Sequence, residues 1–254
     1  MEEVFSAAGK PGGLGGSAAP ALHIGDLVAK APIVQGGMGV GVSLSGLAAA
    51  VANAGGIGVI ATAGIGWEEP DLESNFKEAA SRALRRHIRK ARAATDGIIG
   101  VNIMVALTNY DDLASAAVEE GVDIIFSGAG LPLSLPQFVH GAASPKLAPI
   151  VSSGRAADIL CRKWTARYQR LPDALVVEGP LAGGHLGFKP EQIDEDEFCL
   201  ERILVETVAA VAPFEKASGR SIPVIAAGGV YTGADMLRMM RLGAAACQLG
   251  TRFV

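Results

Sequence analysis

The residues best suited to chemistry lie in the run Glu178-Gly-Pro-Leu-Ala-Gly-Gly-His185-Leu-Gly187. A neutral imidazole can take a proton from an acidic carbon, and a charged one can hydrogen-bond an anion. Two glycines ahead of a histidine in a long loop are a costly arrangement for packing alone; a loop histidine satisfied by backbone is the bland alternative. A second group is made of glycines that directly follow apolar runs, Gly228-Gly229 and Gly250-Thr251. Backbone N–H groups at such turns can approach an anion with no Cβ in the way, and phosphate is the usual guest. A third is Asn102, an amide inside the apolar run Gly-Val-Asn-Ile-Met-Val. A buried amide needs partners, either in the core or on the polar edge of a ligand.

Other residues attract less chemistry. His23, His87 and His140 read as surface or capping residues. No two histidines or acids stand at metal-ligand spacing, so no metal is expected. The acids at 191, 194, 195, 196 and 197 read as a solvated loop and helix start, and Arg82, Arg85, Arg86, Arg89 and Arg92 as a solvated helix face rather than an RNA patch. Gly37-Met38-Gly39 lacks the GxGxxG spacing of a dinucleotide fingerprint, and no acid ends the next strand. Cys161, Cys247 and the two tryptophans read as packing.

Elements that could position these groups alternate along the chain. Apolar runs at 33–35, 57–62, 98–105, 123–126, 147–151, 174–177, 224–227 and 244–249 read as strands. Helical patterns fall between them, near 45–53 with Ser43 or Ser45 as cap, then 75–94, 110–120, 135–140 (short), 155–168, 197–218 and 232–241. The strands are continuously apolar, as expected when both faces are covered, and βα alternation indicates a parallel sheet. Eight units favour a closed α/β TIM barrel; a doubly wound sheet has the same periodicity. The long loop with His185 then follows strand six, and the two glycine turns follow strands seven and eight, where barrels hold phosphate. The chain reaches Val254 at the end of strand eight with no sequence for a last helix, and a longer form is expected to be more stable.

The chain has 254 residues, half of them apolar and 19% charged. That length suits one barrel, placed here at residues 23–254 after a flexible tail at 1–22. Many alanines and glycines imply close helix–strand packing or close backbone approach to a ligand. A formal net charge of −4 gives no reason to expect nucleic acid. Three scattered cysteines argue against a disulfide framework and fit a reducing cytoplasm. Residues 31–67 carry no charge, but repeated glycines leave no stretch of about 20 dense apolar residues to cross a membrane.

Five segments together resemble the nitronate monooxygenase family, formerly 2-nitropropane dioxygenases, and are nearly as similar to the related flavin-dependent enoyl-acyl-carrier-protein reductases. They are Pro-Ile-Val-Gln-Gly-Gly-Met at 32–38, Gly-Val-Asn-Ile-Met at 100–104, the Glu178 to Gly187 run, Ile-Pro-Val-Ile-Ala-Ala-Gly-Gly at 222–229 and Gln-Leu-Gly-Thr-Arg-Phe at 248–253. The resemblance implies an FMN-binding barrel. By position, Gly228, Gly229, Gly250 and Thr251 would hold the phosphate, with Gln248 and Leu249 lining the same site. Gln35, Gly36, Gly37 and Met38 would lie along the isoalloxazine ring, Asn102 would hydrogen-bond its polar edge, and Glu178, Gly183 and Gly184 would also contact it. His185 would be the catalytic residue. The redox work, with electrons going to O₂, would be the flavin's. The partners implied are a nitronate or an enoyl thioester and O₂, and the resemblance admits a homodimer. Many relatives carry glutamine where this chain has Glu178, and the segment with Trp164 and Tyr168 and the loop after His185 are expected to reshape the pocket. Two other classes stay open on residues alone: a flavin-free barrel acting on a sugar phosphate, and a non-catalytic remnant.

Overall fold

The computed structural model of the chain describes residues 19–141, 144–185 and 187–254. Every expected apolar run forms a parallel strand: β3 (Ile33–Gln35), β4 (Gly58–Ala61), β5 (Ile99–Met104), β6 (Ile124–Gly128), β7 (Lys146–Val151), β8 (Leu175–Glu178), β9 (Val224–Ala227) and β10 (Ala246–Leu249). They lie in the order β3-β10-β9-β8-β7-β6-β5-β4. A parallel bridge between Val34 and Ile57 joins the two ends, so the sheet closes into a TIM barrel. The connections are α1 (Ser45–Asn53), α2 (Phe76–Arg92), α3 (Tyr110–Glu119), a 3-10 turn (Leu135–Phe138), α4 (Gly154–Tyr168), α5 (Leu200–Ser218) and α6 (Gly233–Arg241).

The barrel interior is filled by Val34, Val59, Ile124, Phe126, Ala148, Val176, Ile225 and Ala246, all fully or nearly fully buried. Its amino-terminal end is plugged by a hairpin, β1 (Leu22–Ile24) and β2 (Leu27–Ala29), whose Leu22, Ile24 and Ala29 join that cluster. Lys146, facing inward beside Ile124, pairs with Asp26 of the hairpin turn. Residues 1–18 of the expected tail lie outside the described residues, and Leu22, assigned to that tail, is instead a plug residue. Gly25-Asp26, flanked by Leu22, Ile24 and Leu27, is the two-residue turn of this hairpin, a signal carried by the sequence itself.

The helices cover the outside in two apolar shells, one under α1, α2 and α3 and one under α4, α5 and α6. Their small residues do what composition suggested. A Cβ on Gly58 would stand 1.9 Å from the carbonyl oxygen of Ala48, so α1 can rest on β4 only with glycine there. Trp164 is fully buried in this shell and donates its indole N–H to the Pro132 carbonyl at 3.1 Å; it packs α4 and does not reach the mouth. The arginines of α2 are not simply solvated. Arg82 and Arg86 pair with Glu69, Arg85 and Arg89 with Glu120, and Arg92 with Asp123. His87, expected at the surface, is half-buried with Nδ1 3.2 Å from the Ser45 hydroxyl, and burial, with Arg86 adding to it, lowers its pKa. Among the described residues no helix is long and apolar enough to cross a membrane.

One side chain completes the closure of the barrel. The β3–β4 ladder has two backbone bonds, Gln35 N–H to the Ile57 carbonyl at 3.0 Å and Ile57 N–H to the Ile33 carbonyl at 2.9 Å. Beyond them the chain turns away into Gly36. The Gln35 amide takes over as the next rung: its Nε2 donates to the Val59 carbonyl at 2.9 Å and its Oε1 accepts from Val59 N–H at 3.2 Å. A second Nε2 proton goes to the Ser43 hydroxyl at 2.9 Å. Gln35 is fully buried, so its loss would leave these groups unpaired. At about 1–3 kcal/mol for each orphaned buried group, Gln35→Leu is expected to destabilise the fold by roughly 3 kcal/mol in denaturant unfolding. A loss under about 1 kcal/mol would show that the amide is not a rung.

Candidate active site

The carboxyl ends of the barrel strands open on a mouth with a polar rim. Inward positions are set by register. Glu178 pairs with Ala227, and Gln248 pairs with Ala227 and Val34; Ala227 and Val34 face the barrel interior. Asn102 pairs with Ala61 and with the interior Phe126. Asn102, Glu178 and Gln248 therefore stand at the inner lip, and none of the three side chains has a hydrogen-bond partner among the described residues. Burial alone raises the Glu178 pKa, to about 7.

One side of the mouth is floored by the turn after β3. A Cβ on Gly37 would stand 2.4 Å from Cβ of Asn102, so the backbone lies flat on that side chain. Gly36 N–H donates to the Leu249 carbonyl at 2.7 Å, and Gly250 faces the Met38 thioether, where an added Cβ would be 3.6 Å from Sδ. The structure thus brings Gly36, Gly37, Met38, Asn102, Leu249 and Gly250 together. Ser43 pins this floor: its hydroxyl donates to the Gly36 carbonyl at 2.9 Å and accepts from Met38 N–H at 3.0 Å. Neither serine caps α1, whose first residue is Ser45 and whose N-cap is Leu44. Gln35, assigned to the ring-binding floor, has its whole amide committed to the seam, so from it only the backbone borders the mouth.

On the opposite side the turns after β9 and β10 meet. Gly228 and Gly229 take φ of +97° and +78°, a region that disfavours any side chain. The N–H groups of Gly229, Val230, Thr251 and Arg252 have no acceptor among the described residues. Asp235 accepts the Thr232 N–H at 2.9 Å and so occupies the start of α6, leaving the earlier turn open. Arg252 lies 5.0 Å over the Tyr231 ring, which places a cation between the two turns. Sequence reading passed over Arg252 and Tyr231; the signal was an arginine directly behind the Gly250-Thr251 turn.

The loop after β8 is the least constrained part. Gly183, Gly184 and His185 are exposed, and a Cβ on either glycine would meet nothing within 4 Å. His185 makes no hydrogen bond among the described residues, so the structure does not join it to the lip. Trp67, read as packing, is 57% exposed, and with Val40 and Leu181 it lies on loops around the mouth.

The molecule is a TIM barrel with free N–H groups on its last two strand turns, a flat glycine floor and polar groups at its lip. The chain belongs to the nitronate monooxygenase family, whose profile matches residues 21–254. It is 32% identical to a nitronate monooxygenase of Pseudomonas aeruginosa, over 88% of this chain and 66% of that protein. It is 29% identical to a Mycobacterium tuberculosis (3aS,4S,5R,7aS)-5-hydroxy-7a-methyl-1-oxo-octahydro-1H-indene-4-carboxyl-CoA dehydrogenase, over 88% and 52%. Among solved structures it resembles FabK from Thermotoga maritima, with TM-score 0.66 and 32% identity, over 89% and 60%. The chain thus spans between half and two thirds of the length of these relatives.

Gly37→Ala is expected to force Asn102 from the floor and lower stability by about 1–3 kcal/mol in thermal or denaturant unfolding, the usual cost of overpacking. An unchanged midpoint would mean that the floor and Asn102 are not in contact.

Proposed function

We propose that the chain is the FMN-binding barrel of an enzyme that oxidises nitronates with O₂. The observation that carries this reading is the pairing of an N–H cradle on one side of the mouth with a flat glycine floor on the other. The residues fit FMN on their own chemistry. The N–H groups of Gly229, Val230, Thr251 and Arg252, with Gly228 and Gly250 giving access, would hold the phosphate, helped by the Arg252 cation. Gly36, Gly37, Met38 and Leu249 would border the ring. Asn102, Gln248 and Glu178, which lack partners, would take its polar edge. Bound FMN would supply two-electron redox chemistry and electron transfer to O₂.

The protein's own part would be to position the substrate and move a proton. Gly183 and Gly184, with nothing packed against them, would let the loop bring His185 over the mouth. There its imidazole would take the α-carbon proton of a nitroalkane, leaving the nitronate, or donate a hydrogen bond to a nitronate oxygen. The apolar residues on the mouth loops would exclude water.

A second reading, an NADH-dependent reductase of enoyl thioesters, is favoured by the similarity to FabK and by the exposed Val40, Trp67 and Leu181, which suit an acyl chain. Nitronate-dependent oxygen uptake supports the first reading. Rapid flavin reduction by NADH without air, with no such uptake, supports the second.

His185→Ala is expected to keep FMN and lose about 100-fold or more in turnover, the scale of general-base catalysis. Activity within a few-fold of the unsubstituted chain would remove His185 from the chemistry. Gly229→Asp is expected to abolish FMN binding, since it puts a carboxylate among the cradle N–H groups at φ of +78°. Full flavin content in that variant would remove the cradle.

A further inference from the structure

Among the described residues Glu178 is the one ionisable group at the inner lip, and what surrounds it is uncharged. β7 contributes Ile150 and Val151, which pair with Val176 and Val177 of β8. β9 contributes Ala227 and Gly228, and β10 contributes Gln248 across Ala227. α5 places Leu200 against Gly179. Lys146, inward on β7, belongs to the opposite end of the barrel and pairs with Asp26. The following loop carries His185, Lys189 and the acids at 191–197, and none of them acts on the Glu178 carboxyl; burial is its sole perturbation. A carboxylate held there would be partly desolvated with no cation beside it to offset the loss. The amides of Asn102 and Gln248, elsewhere on the lip, can turn to donate or accept; the carboxyl chooses by protonation.

We propose that Glu178 engages its ligand as the neutral acid, donating its carboxyl proton to a ring nitrogen or carbonyl oxygen of the flavin that lies across the mouth. This rests on the FMN reading above. A heteroaromatic ring of that kind presents mostly acceptors along its polar edge, and an ionised carboxylate would repel them. Glu178 would then do, as an acid, what an amide N–H does without titrating. The consequence is proton-linked binding. The binding-competent form is the protonated one, so affinity is full below the free-protein pKa near 7 and falls as pH rises through it. Above that point each pH unit weakens binding about tenfold, because one proton must be taken up for each ligand bound.

The test is an FMN fluorescence titration of the chain and of Glu178→Gln from pH 6 to pH 9. The original chain is expected to lose about 50-fold in affinity between pH 7 and pH 9, while E178Q lacks that loss. An infrared difference spectrum of the two FMN complexes at pH 7 should show a protonated-carboxyl C=O band that only the original chain has. FMN binding that is flat with pH in the original chain, or the same slope in E178Q, overturns the proposal and leaves the FMN reading standing. No FMN binding by either protein at any pH overturns both.

Discussion

The mouth depends on how the barrel closes. Strand β3 must pair with β4 to shut the barrel, yet it must also leave the sheet at once to floor the ligand side with Gly36 and Gly37. A backbone cannot do both at the same residues. The Gln35 amide resolves this by standing in for a peptide group, making both ladder bonds to Val59 while the main chain departs. Ser43 links that rung to the turn, since its hydroxyl touches the Gln35 amide, the Gly36 carbonyl and Met38 N–H. The floor is therefore positioned by the same buried polar network that closes the fold, and such networks hold only when every member is satisfied.

The rest of the site follows from strand register. Once the sheet closes, residues that pair across it point the same way, so Asn102, Glu178 and Gln248 reach the lip without any loop having to place them. The cradle is likewise a by-product of two adjacent strands ending in glycine. The preformed part of the mouth is thus held by strands, and the loop with His185 is held by little. That division suits a family in which related barrels act on different substrates.

The eight strands were legible because each is a short apolar run buried on both faces, and helices separate them at a regular interval. The glycine turns after β9 and β10 were legible from glycine placement alone, and Gly228 and Gly229 take the positive φ that such turns need. What one sequence could not show was side-chain direction at the strand ends. Gln35 reads as a mouth residue until the register of β3 against β4 turns its amide into the seam. Ser43 has a helix-capping context and serves the floor instead. Trp67 looks like core and lies exposed at the mouth, while His87 looks exposed and pairs with Ser45. The plug hairpin hid behind a glycine-rich start, although its two-residue turn carries a signal of its own.

The central claim is that free backbone N–H groups beyond β9 and β10 hold a phosphate while the glycine floor takes the attached ring. Calorimetric titration of the chain with FMN and with riboflavin separates the two parts, since the ligands differ only in the phosphate. The account predicts that FMN binds at least about tenfold tighter, the scale of a single charge-assisted contact or more. Equal affinity for the two, or no binding of either, would contradict it.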